Sequence, residues 1–472
     1  MSFLKQFPVS AVGRNAVFRP ANINNVRLAR PLREATSPVP LWSTVSGRRH
    51  MASAGGGAAS DPRLSLMDAS CLSGTQRQVR EAVFRVCSDF PDEYWAERDD
   101  TGTYPRDFHK AIADAGYIGI ALPEELGGVG LGLSEAVTML QTIAESGAGF
   151  AGAQSIHANV YATQPLSRFG TPEQRAAWLP KIISGEWRTC FGVTEPDAGL
   201  DTRKLRTRAE RIEKPDGSYS YRITGQKIWI SSAQVADRMV LLCRTGKGDT
   251  DKIDGELTLL CISLDKSKPG LSLNPIPKMG GRAVDANEVF FDGYEVEDGA
   301  GALVGNEGQG FRIVLHGLNA ERCLIGGEAL GLGYAALRRA VAYVGERVVF
   351  GKPVGAYQGV AHPLAEAWMS LEAAKLVVYN AASQYDVYKS QGEGKLPANL
   401  GVACNMAKYM AAEAAFQACE RSVLAMGGMG YARQFHVERY LRESLVPRLA
   451  PVSREMIRNF VAEKALGLPK SY

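Results

Sequence analysis

Several patterns that would point to particular protein classes are missing from this chain. No apolar run among its 472 residues approaches the roughly 20 residues that a membrane-spanning helix needs. The eight cysteines form no Cys-x-x-Cys pair and the six histidines show no metal-ligand spacing. We therefore expect no metal site, and thiols that stay reduced as small buried residues. The net charge of +4 is too small to indicate nucleic acid binding.

Acidic residues are almost absent from residues 1–50, where Glu34 stands alone. Basic residues recur throughout this segment, and serine and small apolar residues fill the gaps: Lys5, Arg14, Arg19, Arg27, Arg30, Arg33, Arg48 and Arg49. Such a composition is typical of a mitochondrial transit peptide. We expect residues 1–60 to be a transit or disordered segment and the protein to be mitochondrial, in the matrix. A basic arm that binds an anionic partner is the alternative.

The hydrophobic pattern changes twice along the rest of the chain. Apolar residues recur at helical spacings of three and four in residues 70–187 and again in residues 304–472. Between them, residues 188–303 contain short apolar runs bounded by turn residues, which predict a β domain of about seven or eight strands. Residues 171–174, Thr-Pro-Glu-Gln, predict a helix start. The sequence therefore indicates an α domain, a β domain and a second α domain.

The most informative stretch is residues 191–201, Phe-Gly-Val-Thr-Glu-Pro-Asp-Ala-Gly-Leu-Asp. Gly199 has no side chain and tolerates unusual dihedral angles, so the backbone there can approach a ligand closely. Alone, this motif is equally typical of an ordinary boundary between a strand and a loop. Further glycine-rich or aromatic motifs follow it in order: residues 225–232 (Gly-Gln-Lys-Ile-Trp-Ile-Ser-Ser), 278–282, 305–311, 347–352 with Gln358 behind, and 427–431.

In this order and at these distances the motifs resemble the acyl-CoA dehydrogenase family of flavoproteins, over roughly residues 75–465. The resemblance implies an α+β multi-domain fold with a helical N-terminal domain, a β-barrel-like middle domain and a C-terminal four-helix bundle. It also implies an enzyme with FAD as cofactor and an acyl-CoA as substrate. Such an enzyme would be a homotetramer and would pass electrons to electron-transferring flavoprotein, in fatty-acid or branched-chain amino-acid oxidation.

Members of this family oxidise the Cα–Cβ bond of an acyl-CoA thioester, which requires a positioned carboxylate base. The loop glutamate that serves many members is absent, because Pro451 occupies its position. A branch that includes isovaleryl-CoA and long-chain enzymes has a helix-borne Glu-Arg motif instead, which matches Glu321 and Arg322. We predict Glu321 as the catalytic base, with Glu455 as the next candidate. On local sequence alone, Glu321 and Arg322 also fit an exposed surface pair.

The resemblance further implies how the substrate is held. Asn319 and Arg322 would contact the pantetheine and phosphates of CoA, although Arg322 could instead pair with a local acid. Pro451 lacks the backbone N–H that holds the thioester carbonyl in relatives, so a neighbouring N–H replaces it or the alignment is shifted by one residue. Small residues at 147–149 and 152–153 suggest room for an acyl chain, whose length and branching stay open.

The resemblance also places the flavin site. Residues along the isoalloxazine ring and the pyrophosphate would be Phe191, Val193, Thr194, Gly199, Leu200, Trp229 and Ser231. Residues around the adenosine and the diphosphate, some supplied across a subunit interface, would be Arg347, Phe350, Gln358, Gly427 and Gly428, and Ser453 would lie on the flavin side. Trp229 could instead be a core residue of a strand, and the glycine run could instead cap a helix.

Two other functions stay open. One is a catalytically weak family member that acts in assembly or binding, which Pro451 and Leu200 support because relatives have Ser or Thr at the latter position. Glu321, Trp229 and Arg347 argue against it. The other is a related flavin oxidase, for which the sequence shows no route for oxygen.

Overall fold

The computed structural model describes residues 64–246, 256–392 and 397–471. The predicted transit segment, residues 1–60, lies outside these ranges. Within them, no helix combines the length and the apolar character that crossing a membrane requires. Nor do the described His, Cys, Asp and Glu side chains form a cluster that could hold a metal ion. Cys71 is exposed, contrary to expectation, whereas the other cysteines are buried.

The N-terminal part is helical, as predicted. Its helices are α1 Gly74–Cys87, α2 Asp92–Thr101, α3 Arg106–Asp114, α4 Leu133–Ile143, α5 Gly149–Phe169 and α6 Pro172–Ile183. The predicted helix start at residue 171 is confirmed. Thr171 accepts a hydrogen bond from the Gln174 N–H through its hydroxyl, and the Gln174 side chain accepts one from the Thr171 N–H. This reciprocal cap satisfies donors that have no partner inside the helix.

A π-helical turn, Ala144–Ala148, connects α4 to α5. Gly147 and Gly149 have φ angles of 125° and 70°, a region that favours glycine. A Cβ atom at Gly149 would lie 2.5 Å from Glu443 Oε2, and one at Gly147 would lie 2.7 Å from Asp92 Oδ1. The expectation that these small residues leave room for an acyl chain is therefore wrong. They let the backbone pass close to two carboxylates.

In the described part of the chain, the middle region forms one eight-stranded sheet. Its strands are β1 Thr189–Gly192, β2 Arg208–Glu213, β3 Tyr219–Ser231, β4 Arg238–Arg244, β5 Leu257–Ser263, β6 Leu271–Pro275, β7 Ala286–Val296 and β8 Leu303–Val304. The order is β6-β7-β3-β2-β4-β5-β8, with β1 parallel to β4. Strands β4 and β5 are almost entirely buried, because helices cover the sheet there. The predicted β region is confirmed.

Three long helices dominate the C-terminal part. The elements in order are α7 Gly299–Ala302, α8 Gly310–Glu346, β9 Val348–Val349, β10 Lys352–Pro353, α9 Gln358–Ser390, α10 Ala398–Met426, α11 Gly428–Tyr431, α12 Val437–Glu443, α13 Val446–Leu449 and α14 Arg454–Lys464. Helix α14 packs against α10 as a shorter fourth member. Helix α8 packs against α4, α5, α9 and α10, and every residue from 323 to 337 is buried. This central helix carries the predicted base.

Substituting Gly149 by alanine is expected to lower the free energy of unfolding by about 1–3 kcal/mol, because alanine there is strained and displaces the Glu443 carboxylate. That carboxylate accepts hydrogen bonds from the Phe150 and Ala151 N–H groups at 2.7 and 3.2 Å. Denaturant unfolding measures the change. Gly345→Ala is the control, since nothing lies within 4 Å of its added Cβ. Equal stability of the two variants would contradict the assignment of strain to residue 149.

Candidate active site

Helices α5 and α8 bring Glu321, His157 and Tyr161 together. The Glu321 side chain is only 14% exposed, and its Oε2 atom is buried without a hydrogen-bond partner. His157 on α5 places Nε2 at 3.9 Å from Glu321 Oε1. The ring of Tyr161, one turn further along α5, has its centroid 6.1 Å from that of His157. Glu321 and Arg322 are therefore not the exposed surface pair that the local sequence also allowed.

The surroundings of Glu321 shift its ionisation. Burial raises the pKa of Glu321 above its ordinary value, although the nearby charges of His157 and Arg322 oppose that shift. Burial, together with the Glu321 charge, also raises the pKa of Tyr161 well above its ordinary value, so its hydroxyl stays protonated. A buried carboxylate with a raised pKa and an oxygen free of partners has the properties of a general base.

A second carboxylate fixes the opposite edge of the His157 ring. His157 Nδ1 lies 2.7 Å from Glu328 Oε1, and Gln154 Nε2 donates to Glu328 Oε2 at 2.6 Å. Sequence reasoning missed this cluster, because a lone histidine in a helical run matches no metal or catalytic spacing. The available signal was that Gln154 and His157 stand three apart, and Glu321 and Glu328 seven apart, on otherwise apolar helix faces.

The two predicted substrate-binding residues contact each other. Asn319 Oδ1 accepts a hydrogen bond from Arg322 Nη1 at 2.8 Å. Arg322 Nε is buried without a partner. A guanidinium that is held by an amide and retains a free N–H can bind a further acceptor. The structure therefore joins Asn319 and Arg322 beside Glu321, and their contact with CoA stays a prediction.

Strand β1 connects the candidate base to the predicted flavin segment. The ring centroid of Phe191 on β1 lies 5.0 Å from that of Tyr161. Contacts therefore run from Glu321 through His157 and Tyr161 to Phe191. Beyond Phe191, Val193 and Thr194 are partly exposed, so a ligand can reach them.

A buried ion pair that sequence reasoning missed holds this segment. Lys227 Nζ on β3 donates to Glu195 Oε1 and to the Val193 carbonyl, both at 2.9 Å. The side chains of Lys227 and Glu195 are 0% and 7% exposed. The Ile228 N–H donates to the Thr194 carbonyl at 2.9 Å. These bonds fix the backbone of residues 193–195 against β3.

Trp229 has an unusual backbone and an exposed ring. Its φ is 61° and its side chain is 57% exposed, where the pairing of β3 with β7 shifts between Lys227 and Ile230. A bulky residue rarely adopts positive φ, and a core residue would be covered. The core alternative for Trp229 is therefore wrong. Ser231 is also exposed, at the end of β3. An exposed indole held by a bulge fits a site for a flat aromatic ligand such as the flavin ring.

Gly199 and Leu200 are exposed in the turn that follows residues 193–195. Gly199 tolerates unusual dihedral angles, but its φ is not positive here. A Cβ added at Gly199 would meet nothing within 4 Å. The structure leaves open space at this position, and its contact with a pyrophosphate stays a prediction.

The predicted clamp residues lie on the connection between α8 and α9. Arg347 and Gln358 are exposed, and Phe350 is 92% exposed with a φ of 50°. The glycine run ends α10. Gly427 is its C-cap, with φ 58° and ψ −134°, and Gly428 has open space at its Cβ position. The cap alternative therefore holds for Gly427, and nucleotide contacts at these positions stay predictions.

Ser453 and Glu455, two further residues that the sequence analysis singled out, lie at the start of α14. The Ser453 hydroxyl accepts a hydrogen bond from the Met456 N–H at 3.3 Å and begins α14, so its side chain has a capping role. Glu455 is exposed and bound to Arg454 at 2.8 Å, which does not fit a buried base.

Sequence reasoning missed the buried Lys408. Its Nζ donates to the Val452 carbonyl at 2.7 Å, and burial lowers the pKa of Lys408 to about 8.

The N-terminal, middle and C-terminal domain models of acyl-CoA dehydrogenases match residues 73–186, 190–294 and 308–466. Three such domains in this order define a flavin-dependent oxidoreductase. The chain belongs to the acyl-CoA dehydrogenase family. It is 35% identical over 411 residues to acyl-CoA dehydrogenase FadE12 of Mycobacterium tuberculosis, covering 86% of this chain and 100% of the relative. It is 28% identical to mitochondrial isovaleryl-CoA dehydrogenase of Oryza sativa, covering 83% and 91%.

Solved structures confirm the predicted fold. Butyryl-CoA dehydrogenase from Megasphaera elsdenii superposes with a TM-score of 0.75 at 27% identity, over 84% of this chain and 99% of that one. A chain in the structure described as the electron transferring flavoprotein of Acidaminococcus fermentans gives a TM-score of 0.75 at 29% identity, over 85% and 100%. The family is FAD-dependent. The exposed Trp229 lies next to residues 193–195, which hydrogen bonds hold against β3, and this arrangement fits that cofactor.

Proposed function

We propose that this enzyme converts an acyl-CoA to the 2-enoyl-CoA, with Glu321 as the base. The carrying observation is the Glu321 carboxylate, which is buried, has one oxygen without a partner, and is linked through His157 and Tyr161 to Phe191. The α-proton of the thioester moves to Glu321 Oε2. When bound, FAD supplies an acceptor for the hydride that leaves the β-carbon. Tyr161 lies beside Glu321 and its ring contacts Phe191, and the burial of the carboxylate keeps it from bulk water.

Asn319 and Arg322 would hold the CoA side of the substrate. Arg322 is bound to Asn319 through one nitrogen and keeps a buried, unpartnered Nε–H. A planar guanidinium with a free donor suits the carbonyl or phosphate oxygens of CoA. Pro451 provides no N–H for the thioester carbonyl, so another donor would have to take this role.

The function is tested by anaerobic mixing of the FAD-loaded enzyme with straight and branched acyl-CoAs of increasing chain length. We expect the visible flavin band to bleach in a single turnover with at least one of them, and mass spectrometry to find the 2-enoyl-CoA. The fastest substrate identifies the acyl class. Absence of bleaching with every acyl-CoA, despite bound FAD, would contradict the proposal and favour an assembly or binding role. Fast reoxidation of the bleached enzyme by oxygen would favour an oxidase.

We further propose a homotetramer that passes electrons to electron-transferring flavoprotein, in fatty-acid or branched-chain amino-acid oxidation in the mitochondrial matrix. The location is supported by the basic residues 1–50 and by a relative from Oryza sativa that is named mitochondrial. The assembly is supported by large apolar side chains that one subunit leaves exposed on its C-terminal part: Val348, Phe350, Met369, Leu376, Leu424, Tyr431 and Leu449.

Replacing Arg347 by alanine is expected to weaken FAD binding by about 10–100-fold, because a charged hydrogen bond to phosphate contributes about 1.5–3 kcal/mol. Titration of apoprotein with FAD measures the affinity, and sedimentation velocity reports the assembly. Arg85→Ala, which removes an exposed arginine on α1, is the control. An unchanged FAD affinity in Arg347→Ala would remove Arg347 from the clamp, and a monomer in solution would contradict the tetramer.

A further inference from the structure

The buried carboxylate of Glu328 holds the imidazole of His157, which faces Glu321. His157 is 5% exposed and Glu328 is fully buried. Because Nδ1 lies 2.7 Å from Glu328 Oε1, the His157 ring cannot turn without breaking that bond. Its other nitrogen, Nε2, is buried without a hydrogen-bond partner, and Glu321 Oε1 is 3.9 Å away. The free edge of the ring is therefore aimed at the carboxylate that removes the α-proton.

The charged and titratable groups that face Glu321 come from three helices. Helix α5 contributes His157 and Tyr161, and helix α8 contributes Arg322 and Glu328. Helix α10 contributes the more distant Lys408, which donates to a backbone carbonyl rather than to an acid. Arg322 is already bound to Asn319. Arg322 also keeps a buried, unpartnered Nε, but among the described ion pairs it is His157 that pairs with Glu321, with Nε2 at 3.9 Å from Oε1.

We propose that His157 is a positioning residue for Glu321: as an imidazolium held by Glu328, it keeps the buried Glu321 carboxylate ionised and oriented before substrate arrives. This inference rests on the proposed function of Glu321 as the base. A lone carboxylate in this apolar site would take up a proton and could no longer act as a base. With His157 protonated, the carboxylates of Glu321 and Glu328 are balanced by His157 and Arg322, so these four side chains together carry no net charge.

The ionisation of His157 supports this arrangement. Burial alone lowers the pKa of His157, but the carboxylates of Glu328 and Glu321 raise it above its ordinary value. The proton that Glu328 fixes on Nδ1 and a second proton on Nε2 give the imidazolium. After the α-proton has moved to Glu321, the carboxylic acid and the imidazolium lie side by side, and release of one proton to solvent restores the starting state.

His157→Gln tests the proposal through a pH profile. Glutamine can still donate to Glu328, but it carries no charge. Loss of a nearby positive charge raises the pKa of Glu321, so the acid limb of the flavin-reduction rate is expected to move up by about 1–2 pH units. The rate should return to within a few-fold of wild type at high pH. An acid limb at the wild-type pH would overturn the proposal, whatever the change in overall rate.

His109→Gln is the matched control. His109 is also a buried histidine whose Nε2 has no partner, but it lies on α3, where its lowered pKa of about 4 keeps it neutral. Its substitution is expected to leave the acid limb in place. If His157→Gln does not retain FAD, His157→Asn makes the same change of charge with a shorter side chain.

A second test measures the protonation of His157 in the unsubstituted enzyme and does not depend on catalytic activity. Nitrogen-15 NMR of protein labelled at histidine, with His157→Gln used for assignment, is expected to show His157 doubly protonated at pH 7. A neutral His157 at that pH would overturn the inference. Failure of the proposed function is distinguishable, because it would appear as flavin bleaching that persists in Glu321→Gln, irrespective of the charge on His157.

Discussion

Replacing Glu321 with glutamine is expected to slow anaerobic flavin reduction by acyl-CoA by about 10²–10⁴-fold, the range that a general base contributes. Glutamine keeps the size of the side chain and cannot accept the α-proton. The buried Oε2 atom, free of partners, is the atom that would accept the α-proton from the substrate. Stopped-flow absorbance of the flavin band measures the rate, and FAD content should equal that of wild type.

Glu455→Gln is the matched control for that substitution. Glu455 was the second candidate from sequence, but it is exposed and paired with Arg454. We expect its substitution to leave the reduction rate within a few-fold of wild type. A fast Glu321→Gln variant together with a slow Glu455→Gln variant would transfer the base to the loop before α14.

Replacing Lys227 with methionine is expected to lower the free energy of unfolding by about 3–5 kcal/mol, because it leaves the buried Glu195 carboxylate without its cation. Glu195 also accepts hydrogen bonds from the Arg206 and Thr207 N–H groups, at 2.5 and 2.9 Å. Those bonds do not supply a positive charge. The same substitution releases the Val193 carbonyl, so FAD retention should fall as well. Denaturant unfolding and the flavin-to-protein absorbance ratio measure the two effects.

The double variant Lys227→Met with Glu195→Gln separates charge from packing. Removing both charges is expected to recover most of the lost stability, since a buried pair can often be replaced by neutral groups at little cost. If the double variant were as unstable as Lys227→Met, the uncompensated Glu195 charge would not be the cause.

The order of helical and strand regions was predictable from sequence because helical and strand spacings are local signals. Helical spacing indicated the two α regions, and short apolar runs between turn residues indicated the β region. Glu321 was predicted because the loop position that serves many relatives is occupied by Pro451. The structure adds burial, which local sequence could not give, since a Glu-Arg pair in a helix is more often exposed.

The partners of Glu321 were not predictable, because the contacts join distant parts of the chain. His157 and Glu328 are 171 residues apart in sequence. Helical periodicity assigns each of them to a helix face but does not say which faces meet. The same holds for Lys227 and Glu195, which are 32 residues apart. The positive φ of Trp229 depends on a shift in strand pairing that a strand pattern does not reveal.

Exchange of the substrate α-hydrogen with solvent tests most directly whether Glu321 is the base. An acyl-CoA analogue whose β-carbon is replaced by sulfur cannot lose a hydride, so proton removal is seen alone. With this analogue in D2O, mass spectrometry should find deuterium at the α-carbon for wild type and exchange slowed by about 10²–10⁴-fold for Glu321→Gln. Exchange at the wild-type rate in Glu321→Gln would contradict the assignment of Glu321 as the base.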